Sequence, residues 1–250
     1  MRIGIAQLNP TVGDVAGNLA LAMDAYEQLI GQGVDIVVYP ELFLCGYPPR
    51  DLLLKEKFGN DMKDALQVFA ASTGPVPTVI GFPEKNTHAQ KQFFNNAAAW
   101  CEDGTVKQTF HKRLLPTYDV FDETRYFESG TLTNLLEYQG ERIAVTICED
   151  VWNLSDQRYS FDPLEEIAAL EPDLLINLSA SPWHLNKEEQ RKDLLGKVVE
   201  KVQCPVSYIN AVGGNDELIF DGHSMSIDRS GEVIAQSSSF RECIEVHDLG

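Results

Sequence analysis

IAVTICEDVW, residues 143–152, is an apolar, β-branched run that ends on a cysteine and two carboxylates, Cys148, Glu149 and Asp150. Such a run reads as a buried strand. In open α/β sheets, ligand sites form outside the carboxyl ends of strands, so a nucleophilic group delivered there is informative. Adjacent negative charge raises a thiol's pKa and makes it a poorer nucleophile. Cys148 is therefore either a core residue or a reactive one whose cation and base come from elsewhere in the chain.

Working outward, the strand pattern recurs. RIGIAQL (2–8), VDIVVYP (34–40), PTVIGFPE (77–84), DLLINLS (173–179) and PVSYIN (205–210) all predict strands. Leu19, Met23, Tyr26 and Ile30 recur at helical spacing, which predicts a helix over 18–30, and further helices are expected near 60–71, 162–170 and 187–202. Hairpins are expected over 95–112 around Glu102-Asp103-Gly104, over 133–148 around Gly140, and over 223–236 around an Asp-Arg-Ser-Gly turn. Strands partly paired in hairpins and partly separated by helices predict mixed sheets with helices packed outside, an α/β layered sandwich. No repeat, low-complexity tract or linker interrupts the pattern, so a single domain over 1–250 is expected.

With 250 residues and 44% hydrophobic content, the chain can bury one large core. Its net charge of −18 repels nucleic-acid phosphates and anionic membrane surfaces, so neither is an expected partner. The cysteines at 45, 101, 148, 204 and 243 are odd in number and widely spaced. That pattern disfavours a zinc cluster, any metal centre built on them and a disulfide framework, and it fits a reducing, cytoplasmic compartment. MRIGIAQLNP is broken at once by Gln7, Asn9 and Pro10 and does not read as a signal peptide. No apolar run approaches the ~18 residues that a membrane span needs.

Two other strand ends carry chemistry. Glu41 follows VVYP and Lys112 closes VKQTFHK, as Cys148 closes IAVTIC. Lys112 would be the cation that favours thiolate and later steadies an oxyanion, and Glu41 the base that takes the thiol proton. Each also has a plain reading. An isolated cysteine is most often a small buried hydrophobe. A glutamate after proline suits the start of a helix. The lysine lies in HKR, an ordinary solvated basic patch. The residues alone leave both readings open.

Longer blocks carry more. YPELFLCGYPPRDLL (39–53), HKRLLPTYDVFDETRYF (111–127) and TICEDVW (146–152) resemble the carbon–nitrogen hydrolase (nitrilase) superfamily. The middle block, together with NLSASPWHLNK (177–187), is similar in particular to the glutaminase domains of glutamine-dependent NAD synthetases. The resemblance covers essentially the whole chain and implies a nitrilase-like, four-layer α-β-β-α sandwich. It implies Cys148 as nucleophile, Glu41 as general base, Lys112 as electrostatic stabiliser and Glu123 as a second glutamate that helps hold Lys112. It also implies the Glu149 backbone N–H as oxyanion donor, with the Glu149 side chain facing the substrate's α-amino group. Tyr47, Tyr118, Ser181 and Lys187 match positions that line the glutamine pocket, with Phe121 and His184 less closely matched. His111 has no implied role.

The implied reaction is hydrolysis of the L-glutamine side-chain amide through a thioester, with no metal or organic cofactor. NAD synthesis would need a second domain using ATP and deamido-NAD, with a Ser-Gly-Gly-x-Asp-Ser loop. No such stretch occurs here, and Gly213-Gly214 reads only as a turn. The expectation is thus a glutaminase fragment of a longer enzyme, partnered by a synthetase domain absent from this chain, and a homo-oligomer, at least a dimer. Three alternatives are weighed against it. One is a free-standing ω-amidase, carbamoylase or nitrilase acting on another small amide or nitrile. The second is a non-catalytic assembly module, against which the joint presence of Glu41, Lys112 and Cys148 argues. The third is a redox-sensing thiol, which would want a resolving cysteine near Cys148.

Overall fold

The computed structural model describes residues 1–86, 94–133, 135–156 and 158–250. Alternation in the first strand, β1 (Arg2–Gln7), already separates two layers: Ile3 and Ile5 face a core between sheets, and Ala6 faces a helical layer. There follow α1 (Val15–Ile30), β2 (Ile36–Val38), α2 (Glu56–Ser72), β3 (Thr78–Lys85), β4 (Phe94–Glu102) and β5 (Thr105–His111). Next come β6 (Leu135–Tyr138), β7 (Glu141–Ile147), a one-turn α3 (Asn153–Asp156), α4 (Pro163–Ala169), β8 (Leu174–Ser179) and α5 (Lys187–Val202). The chain finishes with β9 (Val206–Asn210), β10 (Val212–Asn215), β11 (Leu218–Asp221), β12 (Met225–Ile227), β13 (Val233–Gln236) and β14 (Cys243–Asp248).

Two six-stranded sheets result, in the orders β14-β1-β2-β3-β4-β5 and β13-β12-β9-β8-β7-β6. In each, three neighbouring strands run parallel, β1-β2-β3 and β7-β8-β9, and antiparallel strands flank them. The sheets pack face to face through Ile3, Ile36, Val38 and Trp100 on one side and Ile143, Ile147, Ile176 and Leu178 on the other. On the outer face of the first sheet, Leu29 of α1 and Met62 and Phe69 of α2 cover Val37 and Ile80. On the outer face of the second, Ile167 of α4 and Leu194 and Val198 of α5 cover Leu175 and Val206. The architecture is the four-layer α-β-β-α sandwich. Among the described residues no helix is long and apolar enough to cross a membrane.

Local signals placed most boundaries. Asp162 caps α4 by accepting from the Leu164 N–H, and Pro163 occupies the first turn, where its missing N–H is harmless. Gln139 and Gly140, both at positive φ, make the β6–β7 turn. Three differences stand out. The 34–40 strand shrinks to Ile36–Val38 because the chain leaves the sheet ahead of Pro40, which has no N–H for a ladder. Gly213-Gly214 is not merely a turn but lies inside β10, paired with β11. Gly213 takes φ +121°, a conformation that L side chains rarely adopt, so the strand needs glycine there. Finally, β14, unanticipated from its mixed polarity, pairs antiparallel with β1 along its whole length.

Trp100 joins the two sheets: it is fully buried, and its ring meets the edge of Tyr138 on β6 at 5.6 Å between centroids. Trp100→Ala is expected to lower the unfolding free energy by about 3–5 kcal/mol in urea denaturation. A loss below about 1 kcal/mol would mean that the inter-sheet core does not depend on this ring.

Candidate active site

The ends of β2, β5 and β7 meet at one edge of the inter-sheet core. Past β2 the chain folds over β3, where Leu42 N and Pro40 O lie 2.3 and 2.4 Å from the place a Cβ on Gly81 would occupy. Only glycine admits that crossing, and Leu44 N–H bonds Gly81 O at 3.1 Å to hold it. The crossing leaves Glu41 1% exposed. Lys112 extends β5 by one residue, its N–H donating to Asn96 O at 2.8 Å. Cys148 starts a short 3-10 turn (Cys148–Val151) directly after β7, with φ at +44°. A non-glycine residue in that region is strained, and such strain concentrates at functional positions.

Lys112, fully buried, donates to Glu41 Oε1 at 2.7 Å and to Glu123 Oε1 at 2.8 Å. Glu41 also accepts from Asn96 Nδ2 at 2.7 Å and from the Ala180 N–H at 2.9 Å. Glu123 Oε1 accepts in addition from the Tyr47 hydroxyl at 2.8 Å. Burial works against the Lys112 charge, but Glu123 and Glu41 outweigh it and hold the ammonium well above its usual pKa. Glu123 is pushed up to about 7 by burial, against the pull of Lys112.

Burial, then Glu41, raise the Cys148 thiol well above its usual range, with Lys112 opposing them and Glu149 and Glu123 adding to the rise. The resting group at neutral pH is therefore the protonated thiol. Lys112 does pull toward the thiolate, as expected of a cation there, but burial and Glu41 outweigh it.

Cys148 opens onto a cavity of about 460 Å³, whose lining includes Tyr118, Glu149, Trp152, Ser181 and Lys187. Glu149 Oε1 accepts from the hydroxyls of Tyr118 at 2.7 Å and Tyr159 at 3.0 Å, while burial raises its carboxyl. The Ser181 N–H donates to Asn210 Oδ1 at 2.9 Å. Lys187 Nζ sits 3.7 Å from the Trp152 ring centroid, a cation–π contact. Burial, then the nearby Arg191 charge, lower the Lys187 ammonium to about 8. Phe121 and His184 also reach this cavity.

The structure thus gathers Glu41, Lys112, Glu123 and Tyr47 into one buried network, and Tyr118, Glu149, Ser181 and Lys187 around the cavity at Cys148. Tyr47 lies apart from that lining, its hydroxyl committed to Glu123. His111 pairs with Glu84 across the β3–β4–β5 sheet. Four participants were not singled out from sequence: Asn96, Trp152, Tyr159 and Asn210. Asn96 had a signal, a polar pair inside the apolar strand FNNAAAWCE. Asn210 ends a strand, as Cys148's neighbour Ile147 does. Tyr159 had none, since its partner Glu149 is reached through a loop.

The family model for carbon-nitrogen hydrolases matches residues 2–249. The glutamine-dependent NAD(+) synthetase of Synechocystis sp. is 41% identical over 249 residues, covering 96% of this chain and 44% of that protein. That of Thermotoga maritima is 42% identical over 255 residues, covering 100% of this chain and 42% of that protein. Among solved structures, the glutamine-dependent NAD+ synthetase from Acinetobacter baumannii, in complex with ADP, superposes with a TM-score of 0.90 at 32% identity, covering 98% of this chain and 44% of that one. An amidase from Nesterenkonia sp. superposes with a TM-score of 0.83 at 22% identity over 100% of this chain and 90% of that one, a likeness of fold. The chain spans less than half the length of the NAD(+) synthetases it matches.

The Lys187–Trp152 contact gives a readout. Below about 8 the ammonium caps the ring, and above it the lysine is neutral, so Trp152 emission should titrate with a midpoint near 8. The inflection should vanish in Lys187→Met; an inflection that survives the substitution assigns it to another group.

Proposed function

The chain belongs to the carbon–nitrogen hydrolase family, and on that premise we propose that it is a glutamine amidohydrolase unit, one catalytic domain over its whole length, that releases ammonia from L-glutamine. The observation that carries this reading is the buried Glu41–Lys112–Glu123 network set behind Cys148, at a cavity whose lining includes Glu149 and Lys187. A carboxylate and an ammonium in one lining suit the α-ammonium and α-carboxylate of an amino acid better than an uncharged amide. The names of the relatives, glutamine-dependent NAD(+) synthetases, support the same substrate.

The reaction follows from the protonation states. Because Cys148 rests as a thiol, its proton passes to Glu41 as Sγ attacks the amide carbon. The tetrahedral oxyanion forms against Lys112 Nζ, which both carboxylates keep protonated, and against the Glu149 backbone N–H. Glu41 then hands its proton to the departing nitrogen, so ammonia leaves and a thioester remains. Water gives a proton to Glu41 and attacks the thioester, and that proton returns to Cys148 as glutamate is released. Glu123 and Tyr47 hold the lysine's side of this exchange in place. The amide step uses no cofactor. The ammonia serves NAD synthesis in a longer enzyme, whose synthetase part would use ATP and deamido-NAD.

The test is ammonia release from a panel of amides and nitriles, with and without an added synthetase domain. Release from L-glutamine is expected, absent in Cys148→Ala and lowered on the order of 10²–10³-fold in Lys112→Met. Glu149→Gln should raise KM for glutamine. KM should also rise as pH passes about 8, where Lys187 loses its proton, and stay flat there in Lys187→Met. Preference for an uncharged amide, or silence under both conditions, overturns the reading.

A further inference from the structure

Asp150 is a buried carboxylate that the steps above leave unused, 3% exposed beside the nucleophile. Its Oδ1 accepts the backbone N–H groups of Arg113 and Leu114, both at 2.9 Å, and its Oδ2 accepts the Ile147 N–H at 3.0 Å. Arg113 and Leu114 directly follow Lys112 at the end of one sheet. Ile147 directly precedes Cys148 at the end of the other. The two sheets share no strand ladder among the described residues, so this carboxylate spans a gap that backbone pairing does not.

We propose that Asp150 is a positioning residue that fixes Lys112 relative to Cys148, and thereby sets the rate of the attack on the amide; this rests on the roles given above to those two residues. Hydrogen bonds to an ionised acceptor are stronger than neutral ones. The three here act on the residues next in sequence to the stabilising cation and to the nucleophile, so a shift of Asp150 moves both. The chain past Lys112 leaves its strand and heads for Pro116, so the buried Leu114 N–H finds its acceptor in Asp150 rather than in a ladder. Both oxygens must accept, which an amide cannot do. Burial pushes the Asp150 carboxyl up to about 6 even with three donors on it, so ionisation there is costly, and the geometry it enforces is the return.

Asp150→Asn keeps the shape but turns an N–H toward one set of donors. Expected is a fall in kcat for glutamine on the order of 10²-fold, with KM within about twofold because Asp150 itself does not line the cavity. Alkylation of Cys148 by iodoacetamide should slow by about tenfold at neutral pH, as Lys112 no longer opposes the raised thiol pKa. Unchanged kcat and alkylation in a folded variant overturn the proposal. So does a loss that disappears once rates are expressed per folded protein. Slowed alkylation in Asp150→Asn, with a wild type inactive on glutamine, supports the positioning role while removing the glutaminase reading. If Asp150→Asn does not fold, the wild type is followed in sub-denaturing urea by hydrogen exchange and activity together. Loss of kcat in step with exchange of the 113, 114 and 147 amides supports the proposal, and kcat that survives their free exchange sinks it.

Discussion

A lysine ammonium held between two glutamates, out of reach of water, is the constraint around which this protein is arranged. Burying three charges is expensive, and such a group persists only where further hydrogen bonds satisfy it. Here Asn96 and the Ala180 N–H take up the remaining capacity of Glu41, and Tyr47 adds a donor to Glu123. Each comes from a different part of the chain, so the network forms only when β4, the end of β8 and the loop after β2 are all in place. The pair of carboxylates also repel one another, which is one reason Glu123 titrates so much higher than an ordinary glutamate.

That constraint decides the state of the thiol. A cysteine beside a free lysine would ionise easily. Buried, and beside a lysine whose pull is outweighed by Glu41 with Glu149 and Glu123 adding to the rise, it keeps its proton. In the proposed reaction, nucleophilicity is released by proton transfer to Glu41 at the moment of attack. A resting thiol is also a poorer target for oxidation than a thiolate. The carboxylates that looked like a liability next to Cys148 divide their tasks: Glu149 faces the cavity with two tyrosines on one oxygen, and Asp150 turns inward to three backbone N–H groups.

The rigid part of the molecule is what makes such placements exact enough to matter. The inter-sheet core of Ile, Val and Trp100 fixes where the strands end, and close packing lets little of that position drift. Strain is tolerated at the ends themselves. Cys148 and Leu42 both take positive φ, and the backbone around Glu41 presses onto Gly81. A site on flexible loops would relax that strain and lose the alignment.

The sequence by itself determined what is local. β-Branched runs, helical spacing and turn residues placed β1, β3, β7, β8, β9, α1, α4 and α5, because hydrophobic period and capping act within a few residues. It also put Glu41, Lys112 and Cys148 at strand ends, and its longer blocks carried the likeness to one hydrolase family. The tertiary structure alone decided what depends on distant segments. β14 closes the first sheet against β1, with Asp248 opposite Arg2, and nothing in its mixed polarity foretells that partner. Tyr47 reaches Glu123 rather than the cavity at Cys148, and Tyr159 arrives at Glu149 from a loop. The protonation of Cys148 is the clearest case. It is a sum of burial and of charges from four separate elements, and no stretch of sequence contains that sum.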